Sequence, residues 1–135
     1  MKLPEISYDA RDNILWVDHP QAIYLGTRQE IDAYFQACFQ FWRKRCSPKK
    51  VFIVVSYDNF TYNHEEQPAY VAALTQVLRD CAESVVRFGG TLDQRTASRS
   101  HAMHLHTPSN LYATRDEAVR VVRGLRDGSI TQKTG

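Results

Sequence analysis

The sequence predicts one α/β domain in the order β-β-α-β-α-β-α-β-α, and three observations carry that expectation. Short β-branched and aromatic runs alternate with longer stretches whose apolar residues recur every three or four positions. One run, Val51-Phe52-Ile53-Val54-Val55, is apolar at every position, as a central strand covered on both faces must be. Two Thr-x-x-Glu capping boxes, beginning at Thr27 and Thr114, each stand directly before a helical pattern. Alternation of this kind implies right-handed crossovers. The expected product is a mostly parallel central sheet with helices packed on it and an antiparallel N-terminal hairpin leading in.

Taken in order, residues 6–8 and 14–17 flank the polar segment Asp9-Ala10-Arg11-Asp12-Asn13, which reads as the hairpin turn. Its Asp12-Asn13 corner tolerates positive φ. Thr27-Arg28-Gln29-Glu30 opens the first helix, whose apolar face is Ile31, Tyr34, Phe35, Cys38, Phe39 and Trp42. Ser47-Pro48 ends it, because the residue before a proline is pushed out of helical backbone. After the central strand, the loop of residues 56–63 leads to a second helix with Glu65 and Glu66 near its start and Pro68 in its first turns. Tyr70, Leu74, Val77 and Cys81 make its main face. Residues 84–88 form the next strand, stopped by Gly89-Gly90, and residues 93–104 a weakly amphipathic third helix. Residues 110–113 supply the last strand. The second capping box opens a final helix with Val119, Val122 and Leu125 inward and Gly128 at its end. Residues 1–128 are thus expected to form one domain, and 129–135 a polar tail.

At 135 residues the chain is long enough to bury a core without staples. Its 17 basic and 15 acidic residues give a net charge of +2, without the strong basic excess that marks nucleic-acid binding. The cluster Arg43-Lys44-Arg45 with Lys49-Lys50 has an ordinary explanation, cations complementing a helix C-terminus. Cys38, Cys46 and Cys81 lack zinc or disulfide spacing, and Cys38 and Cys81 fall on apolar helix faces as small hydrophobes. No signal-peptide core and no apolar run near the ~18 residues of a membrane span occur, so a cytoplasmic protein is expected.

The element order resembles that of the STAS domain, the fold of bacterial anti-sigma-factor antagonists. Val51 to Phe60, ending Ser56-Tyr57-Asp58-Asn59-Phe60, is similar to the (Val/Ile)-x-(Asn/Asp)-Tyr-Asp-Asn-Phe segment of one subfamily. That subfamily occurs as free-standing proteins and as a C-terminal extension of some bacterial acyl-CoA transferases. Val86-Arg87-Phe88 resembles its Val-x-Arg-Tyr, Arg95 falls at its helical arginine, and Leu111-Tyr112 with Glu117-Ala118 resembles its terminal stretch. The resemblance covers residues 6–125 and implies a STAS-like sheet and a regulatory role. Two departures stand out. Where true antagonists carry a phosphorylated Asp-Ser pair, this chain has Thr61-Tyr62-Asn63-His64-Glu65. Where the subfamily has apolar residues and a Thr-Thr-Ser run, it has Gly89-Gly90-Thr91, Asp93, Gln94 and Ser98.

In an open α/β sheet ligands bind at the carboxyl ends of the strands. Tyr57, Asp58, Asn59, Thr61, Arg87 and Arg95 are therefore the ligand-binding candidates, with arginine suited to a carboxylate or phosphate. The competing reading is that Asp58 pairs with Arg87 or caps a turn while Asn59 fixes the loop. His101, His104 and His106 invite a metal hypothesis by spacing, but no further ligand completes a set, and a solvated polar helix explains them. No nucleophile elbow, phosphate loop or dinucleotide fingerprint occurs, so no catalytic residue and no cofactor is expected. Tyr34, Phe41 and Trp42 widen the first helix's apolar coverage beyond one sheet contact, which fits either a surface for a protein partner or homodimer or simply a large aromatic core. The expected function is a non-catalytic binding or regulatory module acting through a partner protein or a small anionic ligand. The alternatives are an enzyme or accessory domain of acyl-CoA metabolism, and a small lipid-binding module.

Overall fold

The computed structural model describes residues 2–91 and 111–129. Strands β1 (Glu5–Asp9) and β2 (Ile14–Asp18) form the antiparallel hairpin, with Asp9 opposite Ile14 and Glu5 opposite Asp18. Asn13 closes the corner at φ 58°, and the Asp9 carboxylate accepts from the Arg11 amide at 2.9 Å. This is the Asx-turn chemistry that the polar segment predicts.

Strand β3 (Ile23–Leu25) precedes helix α1 (Arg28–Arg45), whose Thr27 hydroxyl accepts from the Glu30 amide at 3.2 Å. Strand β4 (Val51–Ser56) leads through a tight loop to β5 (Phe60–Tyr62). A 3-10 turn, His64–Glu66, capped by the Asn63 side chain, runs into helix α2 (Gln67–Asp80), with Pro68 in its first turn where no amide partner is lost. Strand β6 (Ala82–Phe88) follows directly, because Cys81 is the C-cap of α2 and buried rather than on a helix face. Strand β7 (Leu111–Tyr112) and helix α3 (Arg115–Asp127) complete the described chain. Thr114 caps α3, and Gly128 ends it in the left-handed conformation at φ 79°.

The main sheet has the order β1-β2-β4-β6-β7, with β1 antiparallel to β2 and the other pairs parallel. The α/β class, the hairpin and the mostly parallel sheet are those predicted. Two strands are not: β3 and β5 pair with each other in a small parallel sheet, Ile23 opposite Phe60 and Leu25 opposite Tyr62. Each is three residues long; β5 lies within the segment read as loop, and β3 in a stretch to which the sequence assigns no element. Their pairing joins positions far apart in sequence, so no local pattern announces it. The predicted helix of residues 93–104 lies outside the described residues, as does the tail beyond Ser129.

Alternation along the strands divides the core in two. Leu15, Val17, Ile53 and Val85 face α1 and α2, meeting Ile31, Tyr34, Phe35, Tyr70 and Val77. Ile14, Phe52, Val54, Val86 and Phe88 face α3, meeting Ala118 and Val122. Val54 and Val86 are fully buried, as the unbroken apolar run of β4 requires of a strand covered on both sides. Among the described residues no helix is long and apolar enough to cross a membrane.

Candidate functional site

The register across the sheet lines up Ile6, Val17, Val55, Arg87 and Leu111 in one row. Four of these are apolar; the fifth is an arginine only 9% exposed. Val17 and Val55 belong to the α1/α2 side, so alternation puts the Arg87 side chain on the same side as the aromatic core. A guanidinium there loses water that it must replace with hydrogen-bonding or ionic partners. The position is chemically out of keeping with its row.

Arg87 lines an apolar crevice between the sheet and helices α1 and α2, together with Tyr57, Tyr70, Phe35, Leu74 and Trp42. The enclosed cavity of this crevice is about 40 Å³. Tyr57 reaches it because its amide donates to the Phe88 carbonyl at 2.8 Å, carrying the β4–β6 ladder one residue past the strand. Tyr57 and Tyr70 both line it. Tyr62 stacks on Tyr70 with ring centroids 4.1 Å apart and planes 1° from parallel.

The Tyr70 and Tyr62 phenols are held protonated. Burial pushes Tyr70 well above its ordinary value, Tyr57 adds to the rise, and the nearby Arg87 charge opposes it. Burial likewise pushes Tyr62 up to about 12, again against Arg87. The crevice thiols follow the same rule: burial raises Cys38 to about 12 and Cys81 to about 11. A thiol in that range is a poor nucleophile at neutral pH. The crevice therefore presents phenol hydroxyls and a cation set in an apolar wall.

The other candidates in the loop after β4 serve the backbone. Asn59 adopts φ 62°, its side-chain amide donates to the His19 carbonyl at 3.0 Å, and its own carbonyl accepts from Ile23 at 2.8 Å. It thereby ties β3 to β5. The Asp58 carboxylate accepts from the Gly90 amide at 2.9 Å, and its own amide donates to the Ser56 hydroxyl at 3.2 Å. Gly89 and Gly90 both have positive φ, a backbone form that concentrates amides on an anion, and here Asp58 is that anion. Thr61 is exposed on β5, opposite Tyr24 of the small sheet, and is not among the residues lining the crevice. Arg95 and the His101, His104 and His106 trio lie outside the described residues. Among the described residues no group of three or more His, Cys, Asp or Glu is placed to hold a metal. Of the six predicted positions, the structure brings Tyr57 and Arg87 together at the crevice, with Asp58 and Asn59 shaping the loop beside them.

The aromatic helix needs a correction. Tyr34 is 4% exposed and donates its hydroxyl into the interior, so it is core and cannot meet a partner. Helical spacing marks its face as apolar but cannot say whether a tyrosine there is covered by the β3–β5 sheet. Phe41 and Trp42 are half-buried; Arg45 sits over the Phe41 ring at 5.6 Å and the Trp42 indole donates to the Lys49 carbonyl at 2.9 Å.

Sequence reasoning missed His19. It is buried just past β2, with Nδ1 2.7 Å from the Ser56 carbonyl and Nε2 2.8 Å from the Tyr34 hydroxyl, and it stacks on Phe60 at 4.6 Å. Its position at the carboxyl end of a strand was the available signal. Tyr70 was read as helix core; what set it apart was a hydroxyl at a position where leucine would fill the same space. Comparison of the chain with family models, with curated proteins and with solved structures found no match in any of the three.

Proposed function

We propose that the chain is a binding module that takes a small anionic ligand in the crevice between the sheet and helices α1 and α2. Arg87 supplies the charge. The observation that carries this reading is the placement of that arginine, almost wholly buried, in an otherwise apolar row of the sheet and on the wall of an open apolar crevice. The hydroxyls of Tyr57 and Tyr70 lie on the same crevice wall. The raised thiols and phenols favour binding over covalent chemistry. A STAS-like module acting by ligand or partner capture accords with the mixed sheet and with the Val51–Phe60 and Val86–Phe88 segments.

A thermal-shift panel tests it, using inorganic phosphate, acetate, fatty acids, nucleotides and acyl-CoAs. Ligand at one hundred times its dissociation constant stabilises by about 2.7 kcal/mol, and that shift should vanish in Arg87→Met. An unchanged shift in a folded Arg87→Met protein would remove the site; no shift with any anion would remove the reading.

A further inference from the structure

We propose that the end of the domain where α1 and α2 terminate is a docking surface for an anionic lipid bilayer, held by charge and separate from the crevice. Arg43, Lys44, Arg45, Lys49 and Lys50 stand within eight residues, all are exposed, and no acidic residue occurs between Asp32 and Asp58. None of the five takes part in an ion pair among the described residues. The helix end accounts for little of this. A helix C-terminus carries about half a negative charge, and its field fades within the last turn. One cation among Arg43, Lys44 and Arg45 offsets it, and Lys49 and Lys50 lie past the helix.

The fold gathers these cations onto one end of the domain. Cys46 closes α1, and its carbonyl accepts from the Lys49 amide at 3.0 Å. Cys81 closes α2, and its carbonyl accepts from the Val51 amide at 3.0 Å. The Asn13 side chain donates to the Lys50 carbonyl at 3.1 Å, so the hairpin turn borders the same end. Carboxylates placed there already have cations of their own. Asp80 faces Arg79 at 3.5 Å, and Asp12 holds Arg123 and Arg126 at 3.1 and 2.9 Å. The five clustered cations therefore repel one another, and an external anionic surface relieves that repulsion.

A bilayer fits this end better than a nucleic acid does. Single strands are held in a cationic groove by exposed rings that stack on the bases. Here the rings of the patch are engaged: Arg45 lies over Phe41 at 5.6 Å, and the Trp42 indole donates to the Lys49 carbonyl at 2.9 Å. A duplex calls for a strong basic excess, against a net charge of +2. An anionic lipid surface asks only for a cluster of about four to eight cations on an accessible face. Leu3 and Tyr24, the exposed large apolar residues among those described, belong to the other end, just before β1 and within β3. Adsorption is therefore electrostatic, with no apolar wedge to outlast added salt.

The test is co-sedimentation of the whole chain with vesicles of phosphatidylcholine alone and of phosphatidylcholine mixed with phosphatidylglycerol. The chain should bind only the anionic vesicles in low salt, and about 0.5 M salt should release it, since screening then acts within a few ångströms. Each cation near the surface is worth about fivefold in binding, so Lys44→Gln with Lys49→Gln should weaken it about 25-fold. Arg28→Gln with Arg120→Gln removes the same charge from exposed positions at the start of α1 and on α3, and should change binding less than about twofold. All four side chains are exposed, so both double variants should keep the melting temperature of the natural chain. No binding to anionic vesicles in low salt, or equal binding to neutral ones, would overturn the proposal. Equal losses in the two double variants would assign the effect to net charge and remove the patch. Tighter capture of a single-stranded oligonucleotide, at matched phosphate, would overturn the bilayer as partner. Neither double variant alters a crevice residue, so each of these outcomes leaves the Arg87 reading to its own test.

Discussion

Lowering the pH should destabilise the fold through His19, and the hydrogen bonds around the ring give the sign. The Ser56 carbonyl can only accept, so Nδ1, 2.7 Å away, carries the proton. Nε2 is then an acceptor, and the Tyr34 hydroxyl at 2.8 Å donates to it. Protonating the ring puts a second donor against that hydroxyl, inside a pocket walled by Phe60 and Tyr34. Burial is the main cause that lowers the His19 pKa, against the Ser56 bond and the nearby Asp18 charge. The unfolded chain takes up its proton near pH 6.5, while the folded chain resists. The stabilisation is therefore fully present above about pH 6.5 and is lost as pH falls toward the folded value. The slope cannot exceed about 1.4 kcal/mol per pH unit, so at most about 2 kcal/mol disappears between pH 6.5 and pH 5. The assay is urea unfolding of the natural chain and of His19→Gln at half-unit steps from pH 8 to pH 5. The four other histidines titrate in both proteins and cancel in the difference. The advantage of the natural chain should shrink as pH falls. A difference that stays flat, or grows toward acid, would refute the neutral, Nδ1-protonated ring.

Three further expectations are checked by the same unfolding measurement. Gly89→Ala should cost about 2–3 kcal/mol, since it strains backbone at φ 79° and drives Asp58 from Gly90, whereas Gly128→Ala should cost only about 1 kcal/mol, having the same φ and nothing within 4 Å of the new methyl. Thr27→Ala removes the hydroxyl that accepts from Glu30 and should cost about 1 kcal/mol, with Thr27→Ser close to neutral. Val122→Ala empties a fully buried site between α3 and the sheet and should cost about 2 kcal/mol.

The parts of the fold that local chemistry specifies were legible in the sequence. The capping threonines, the Asn13 corner and the terminating Gly128 each depend on neighbours within a few residues, and all take the form their residue types predict. The β4 strand was legible because burial on both faces leaves an unbroken apolar run. What escaped was non-local. Ile23 and Phe60 become partners only after α1 and β4 are in place, and three-residue strands carry too few side chains to show a period. The site divides along the same line. Asp58 and Asn59 drew notice as loop polar residues and prove to be loop fasteners. Arg87 drew notice as an arginine near a strand end; that it points into the aromatic side of the core is visible only from its register with Val55. His19 reads as an ordinary polar residue after a strand until Tyr34 and Ser56 are seen to hold both ring nitrogens.

The two sides of the sheet differ in a way that explains where a crevice forms. On the α3 side, Ile14, Phe52, Val54, Val86 and Phe88 of the sheet meet a helix whose buried residues, Ala118, Val122 and Gly124, are small, so the helix can approach closely. Arg115 seals its edge, lying 4.3 Å over the Trp16 ring with its guanidinium 3.0 Å from Asp18. On the other side two helices present rings. Phe35 meets Tyr70 edge-on at 5.3 Å, and Tyr62 lies flat on Tyr70. Flat rings meeting at fixed angles leave gaps that aliphatics would fill. The resulting cavity of about 40 Å³ forgoes about 1 kcal/mol at roughly 24 cal/mol per Å³. That is small beside a typical folding free energy of about 5–15 kcal/mol, and a fold can carry it without harm. A larger aliphatic at Leu74 or Cys38 would remove it. With Arg87 as the proposed anion site, retaining the space, the rings and a buried arginine on the same wall exchanges a little stability for function, the usual direction of that trade at functional sites.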